Sequence, residues 1–377
     1  MSGQASAVES EGATASPEKI KELKASCTRF LHQHGNRRAA DFLAEIPTGT
    51  ATDYYGMGGV VDEVEGEVAR LLGKPCAAFM PSGVMAQLIA LRIHTDRRTR
   101  RAVWFHPMSH IEQKELRAYS RLHGLEGRPV GEAQRLLTLA DLETHPLTGQ
   151  PVGETPAALL IELPQRDIGG QLPTWEELVA QVDWARGHGA AVHMDGARLW
   201  GCEPFYGRSL AEISALFDTV YVSFYKQLGA LAGCALAGPA DVIAEAKEWR
   251  RRHGGTLITL WPNAASGLAG LRKRLPLIPA CHRQALAIAD VLHDLPGVIL
   301  VPERPHTPMM HMLLQRDANA LQAAALRLAR EERIWTFDQF VATDVPGIRR
   351  AELEVGDATL EWAPAEVRRV IDFLLTA

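Results

Sequence analysis

Two apolar runs limit what this chain can fold into more than any other feature. Residues 190–199 read AAVHMDGARL and residues 218–238 read DTVYVSFYKQLGALAGCALAG. Each is rich in β-branched and aliphatic side chains, and each ends in a polar residue with glycine close behind. The first ends at Asp195, before Gly196, Ala197 and Arg198; the second ends at Lys226, before Gly229 and Gly233. Such runs are buried strands, and in α/β proteins ligands sit at the carboxyl ends of strands. The sheet must therefore bring an acid and a lysine to one edge. An aspartate there also has a plain use as a helix cap. The lysine is harder to place, because Val220 to Tyr225 is apolar or aromatic except for Ser223. It is carried towards an interior, where lysine needs a partner.

An acid and a lysine so placed have a specific chemical use. A lysine amine condenses with the aldehyde of pyridoxal phosphate (PLP) as a Schiff base, and an aspartate pairs with the protonated pyridine nitrogen. Burial should lower the pKa of Lys226 and favour that chemistry. The cofactor also needs a phosphate grip. The apolar run Cys76 to Met80 leads into Pro81-Ser82-Gly83-Val84, which opens a helix; strand, Ser-Gly turn and helix N-terminus together make an anion site. Val103 to Phe105 reads as the next strand and runs into His106, Pro107, Met108, Ser109 and His110. The i,i+4 histidines have metal-ligand spacing, but Pro107 and the lack of a nearby glutamate pattern speak against a metal. His110 is read as stacking on the cofactor ring, with a helix cap as the plain alternative.

The 377 residues are 46% hydrophobic and 23% charged, as in ordinary soluble globular proteins, and the length suits a large domain plus a smaller one. A net charge of −5 argues against nucleic acid as the main partner. Five scattered cysteines offer no disulfide framework or structural zinc site, which points to a reducing cytoplasm. Residues 1–15 read as a disordered tail without signal-peptide character, and no apolar run reaches membrane-spanning length. Ser16-Pro17-Glu18 starts a helix with Ile20, Leu23, Cys27, Phe30 and Leu31 on one stripe, and His32 and His34 read as its solvated end. Pro47 to Val61 is a glycine-rich loop, and a helix from Val64 to Leu72 closes at Gly73. Further strands are read at Ala157 to Leu163, Ala191 to Met194, Thr219 to Val222 and Gly233 to Ala237, with a helix from Thr174 to His188. The basic run Lys247 to His253 reads as a solvated helix face or a contribution to the phosphate site. Strands alternating with helices imply a mostly parallel sheet. Beyond Ala264, strands at Val298 to Val301 and Met309 to Leu314 and helices at Ala318 to Glu331 and Pro364 to Leu375 form a smaller C-terminal α+β domain. The division expected is residues 16–265, with the N-terminal helix, and 266–377.

HMDGAR followed by K-x-L-G-A resembles the threonine aldolase branch of the β-eliminating lyase group of fold-type-I PLP enzymes. The similarity runs from about Asp53 to Gly267. It implies an α/β fold with a mostly parallel seven-stranded-type sheet between helices, and PLP as cofactor. Lys226 matches the Schiff-base lysine, Asp195 the pyridine-nitrogen partner, and His110 with Glu115 the ring-stacking histidine and its acid. Ser82, Gly83 and Val84 match the phosphate turn, with Gln165, Arg198 and Ser223 also near the cofactor. Arg198 and Arg350 (or Arg349) match arginines for the substrate carboxylate, and Tyr55-Gly56 a pair that reaches a neighbouring subunit's site.

Other positions depart from the family pattern. The N-terminal Ser-Asp-Thr segment has no match, Tyr225 and Gln227 flank the lysine, and Gly254-Gly255 is followed by Ile258 where arginine is expected. Gln165 replaces a histidine linked to the β-hydroxyl chemistry, and glutamine cannot exchange a proton at neutral pH. The expected activity is aldol cleavage of a β-hydroxy-α-amino acid, or its reverse, by a homodimer or homotetramer. Alternatives are PLP-dependent β-elimination or transaldol transfer, or a PLP-fold partner subunit without catalysis.

Overall fold

The computed structural model describes residues 16–149 and 155–377; the tail expected over residues 1–15 lies outside them. Seven strands form the central sheet, in the spatial order Cys76–Met80, Cys234–Gly238, Thr219–Ser223, Ala191–Gly196, Ala158–Glu162, Ala102–Phe105 and Glu126–Pro129. Only Cys234–Gly238 runs antiparallel to its neighbours; the pairings on the Asp195 side are parallel. Six of these strands lie where the apolar runs place them. Glu126–Pro129 gives no such signal. It is a half-exposed edge strand with two charged residues and a proline, and edge positions tolerate both.

Parallel pairing sends the carboxyl ends of Ala102–Phe105, Ala158–Glu162, Ala191–Gly196 and Thr219–Ser223 to one edge. Register sets Glu162 opposite Asp195 and Asp195 opposite Tyr221. The helix Gly83–Arg98 covers this face and buries Leu88, Leu91 and Ile93. Trp175–Gly187 covers the other face, capped by the Thr174 hydroxyl accepting from the Glu177 N–H at 3.2 Å.

The second apolar cluster surrounds a four-stranded antiparallel sheet in the order Val341–Ala342, Arg349–Glu354, Met309–Leu314 and Val298–Val301. The helices Ile278–Leu292, Ala318–Glu331 and Pro364–Thr376 complete it. Two groupings differ from expectation. The N-terminal helix stops at Ser26, and Arg29–Phe30 pairs in parallel with Ile334–Trp335 while Leu31 joins the C-terminal core. The first segment thus packs with the small unit and not with the large one. The helix Trp261–Arg274 instead buries Ala264, Ala265, Leu268 and Leu271 in the large core, so the clusters divide near Ile278 and Cys281, beyond residue 266. The helix expected from Val64 begins earlier, at Gly59, where Gly58 and Gly59 both take positive φ. No helix of the described residues is long and apolar enough to cross a membrane.

Candidate active site

Lys226 follows the strand Thr219–Ser223, and its amine is carried into the molecule. Burial lowers its proton affinity, and Arg198 adds to this; Asp195 and Glu162 pull the other way. The Tyr225 ring lies 5.8 Å from Nζ. The Lys226 carbonyl accepts from the Gly229 N–H at 2.9 Å and from His34 Nε2 at 3.0 Å. His34 Nδ1 meets Asp357 Oδ1 at 2.9 Å. A Cβ at Gly229, whose φ is +57°, would come within 2.8 Å of the His34 ring, so glycine is needed for the imidazole to reach the lysine turn. His32 and His34 are therefore not a solvated helix end. His32, like His34, is half-buried, and its Nδ1 accepts from the Glu354 N–H at 3.3 Å. The chain is extended by its pairing with Ile334–Trp335, and that carries both rings inward.

Asp195 is buried, with Oδ1 accepting from the Ala197 N–H at 3.1 Å. His110 opens the short helix after Phe105, and its Nδ1 meets Glu115 Oε1 at 2.9 Å. That bond raises the proton affinity of His110 against its partial burial, while burial raises the pKa of Glu115. His106 turns elsewhere. Its Nε2 donates to the carbonyls of Glu132 and Arg135 at 3.0 and 2.7 Å, and its Nδ1 accepts from the Met108 N–H at 3.1 Å. The i,i+4 spacing with His110 therefore brings no second imidazole to the site.

Ser82 is the N-cap of the helix Gly83–Arg98, yet its side chain makes no capping bond. Its hydroxyl and the first N–H groups of that helix, with half-buried Val84, are left for an anion. A Cβ at Gly83 would collide with the Tyr221 hydroxyl. Ser223 is buried, and its carbonyl accepts from Trp200 Nε1 at 2.8 Å. An uncapped helix start, a buried aspartate, a half-buried lysine and a histidine–glutamate pair at one sheet edge fit the phosphate, pyridine nitrogen, aldehyde and ring face of PLP.

Arg198 is not a free cation. Its Nε lies 3.1 and 3.2 Å from the two Glu354 oxygens, and its Nη2 3.6 Å from Glu352 Oε1. Glu352 also meets Arg166 at 2.9 Å and His311 at 3.4 Å. Arg350 has no carboxylate partner among the described residues; its Nη1 donates to the Asp167 carbonyl at 3.2 Å, and it lines a cavity of about 210 Å³ with His32, Arg166 and Glu352. Tyr55 stands apart, half-exposed, with its N–H donating to the Ile258 carbonyl at 2.9 Å. Gln165 is buried at the site edge, and its Nε2 donates to Glu162 Oε2 at 3.2 Å and to the Met108 carbonyl at 3.3 Å.

Glu162 was absent from the residues singled out by sequence. Its Oε2 also accepts from the His110 N–H at 3.2 Å, and its Oε1 accepts from the Arg166 N–H at 3.1 Å. Burial and then the charge of Asp195 push its pKa up to about 7. The available signal was a lone acid inside the apolar run ALLIEL.

A family model described as beta-eliminating lyase matches residues 34–316. The chain belongs to that family. Among its family relatives is low-specificity L-threonine aldolase 1 of Arabidopsis thaliana, 29% identical over 283 residues, which cover 74% of this chain and 78% of that protein. A Listeria monocytogenes structure provisionally described as an L-allo-threonine aldolase superposes with a TM-score of 0.86 at 37% identity, covering 94% of this chain and 98% of that one. An Exiguobacterium structure, provisionally described as an aromatic amino acid beta-eliminating lyase/threonine aldolase, gives 0.85 at 35%, covering 92% and 99%. The mostly parallel α/β architecture is the fold-type-I architecture of these threonine aldolase-like structures.

Proposed function

We propose that this beta-eliminating lyase family member is a PLP-dependent enzyme that cleaves the Cα–Cβ bond of a β-hydroxy-α-amino acid, or forms it in reverse. The observation that carries the reading is the meeting of Lys226, Asp195, the His110–Glu115 pair and the uncapped Ser82–Gly83 helix start at one sheet edge. The names of its relatives support the same reaction. Lys226 Nζ would carry the cofactor's aldehyde, Asp195 the pyridine nitrogen, His110 a ring face, and Ser82, Gly83 and Val84 the phosphate. Bound there, PLP supplies a sink for the electron pair released at Cα.

The protein's own groups do the rest. Arg350, without a carboxylate ion pair among the described residues, anchors the substrate carboxylate, while Arg198 ties the sheet edge to Glu354 and Glu352. With Nδ1 held by Glu115, His110 has Nε2 left to take the hydroxyl proton, and the Glu115 bond raises its affinity for it. A second reading, β-elimination, is favoured by one observation: Gln165, at the family's histidine position, cannot take a proton. We infer a homodimer with Tyr55 at the neighbouring subunit's site, and a cytoplasmic setting, since all five cysteines are free.

Borohydride reduction of the PLP-loaded protein and peptide mapping should place the pyridoxyl label on Lys226. Incubation with threonine should yield glycine and acetaldehyde. A label elsewhere defeats the lysine assignment, and ammonia with 2-oxobutyrate defeats aldol cleavage in favour of elimination.

A further inference from the structure

The site contains a buried carboxylate that the roles above do not use. Glu162 ends its strand directly opposite Asp195 in a parallel register, so both side chains leave the same face of the sheet. Neighbouring strands lie about 4.8 Å apart, which places the two carboxylates side by side. Both are almost wholly buried, at 9% and 2% exposed. Glu162 is held in place by the N–H groups of His110 and Arg166 and by Gln165 Nε2. No ion pair within 4.0 Å joins it to a cation among the described residues.

We propose that Glu162 is a positioning residue for the cofactor's pyridine nitrogen, a second carboxylate that acts through Asp195 while its hydrogen bonds hold His110 and Gln165 at the same edge. This rests on the PLP reading given above. Ionised, it adds a negative charge next to Asp195 and strengthens the hold on a protonated ring nitrogen. Protonated, it leaves Asp195 alone. The groups facing it are Asp195 from the next strand, His110 from the short helix after Phe105, Lys226 from the turn after Thr219–Ser223, and Arg198 from the turn after Asp195. Burial and the charge of Asp195 hold the Glu162 proton on until about pH 7, so the switch falls in the working range of a cytoplasmic enzyme.

The test is the dissociation constant of PLP, measured on cofactor-stripped protein between pH 5.5 and pH 8.5 for the parent and for Glu162→Gln. Taking the ratio of variant to parent cancels the pH dependence that both share through Lys226 and His110. The expected ratio is near one at the acid end and rises to about tenfold or more at the alkaline end, since a charge this close to the ring nitrogen is worth at least that at an effective dielectric of about 20. A ratio that is constant across the range, whether near one or uniformly raised by a packing defect, overturns the proposal. Should Glu162→Gln not fold, Glu162→Asp keeps the charge with a lower intrinsic pKa. Its curve should break at lower pH than the parent's, and an unmoved break overturns the proposal equally. Failure of the parent to bind PLP at Lys226 at any pH would instead remove the cofactor reading itself.

Discussion

At Gln165 the amide nitrogen is committed to two acceptors, Glu162 Oε2 and the Met108 carbonyl, so the side chain offers the site only its oxygen. A histidine there would have the same carboxylate behind it to orient one ring nitrogen, leaving the other to accept a proton. Gln165→His should therefore raise threonine cleavage by about 10²-fold, the typical contribution of a positioned base, read as acetaldehyde release. No gain over the parent would remove the β-hydroxyl role of this position. Glu162 makes a second residue-scale prediction. Its folded pKa of about 7 stands above the ordinary 4.5. Between those values the folded state keeps a proton that the unfolded chain has lost, so stability falls as pH rises through that window. Glu162→Gln removes this slope. Urea unfolding of the cofactor-free variant should show a gain over the parent at pH 8 of up to about 3 kcal/mol relative to the difference at pH 5. Asp195, Lys226 and Ser82–Gly83 were legible because each ends a local pattern of its own strand. Glu354 and His34 were not: their partners Arg198 and Lys226 lie 156 and 192 residues away in sequence. Neither composition nor spacing links positions so far apart.

Among the elements, the helix Gly83–Arg98 carries the clearest requirement on a single backbone position. Gly83 begins the helix against the Tyr221 hydroxyl, so even a methyl group there must push the phosphate turn or the ring aside. Gly83→Ala should leave helix content by circular dichroism unchanged, since alanine is favoured over glycine in a helix by about 1 kcal/mol. Affinity for PLP should nevertheless fall by about tenfold or more. Adding Tyr221→Phe removes the oxygen that the methyl meets and should restore part of that affinity; a double variant no better than the single one would discount the clash. Elements whose apolar pattern is decided locally were readable from sequence, and the strand Cys76–Met80 has the bounds its apolar run suggests. The first helix was read too long because Phe30 and Leu31 continue its spacing. What ends it is the pairing of Arg29–Phe30 with Ile334–Trp335 far along the chain, which outweighs local preference.

At the scale of the whole molecule, two loops present Tyr54, Tyr55, Met57, Leu257 and Ile258 to solvent at between 43% and 66% exposure. Scattered apolar residues on a surface need no explanation, but a contiguous group does. These form one group. Tyr54 and Tyr55 pack edge to face at 4.7 Å, and the Tyr55 N–H donates to the Ile258 carbonyl. The loops are also held from beneath. Asp53 accepts from the Thr259 hydroxyl and from the N–H groups of Gly56, Leu260 and Trp261, at 2.8 to 2.9 Å. An apolar patch held by a buried carboxylate is suited to a constant partner, and in the proposed dimer that partner would be a second copy with Tyr55 at its site. The proposed dimer then makes a direct prediction. Light scattering of the parent should give twice the 41.3 kDa chain mass. A charge set in the middle of the patch, Ile258→Asp, should shift this to the single-chain mass, because an unpaired carboxylate would have to be desolvated at the interface. Tyr55 would be lost from the neighbouring site at the same time, so cleavage should fall with dissociation while Lys226 still takes the pyridoxyl label. A parent that is monomeric and fully active would show that this patch serves no such assembly.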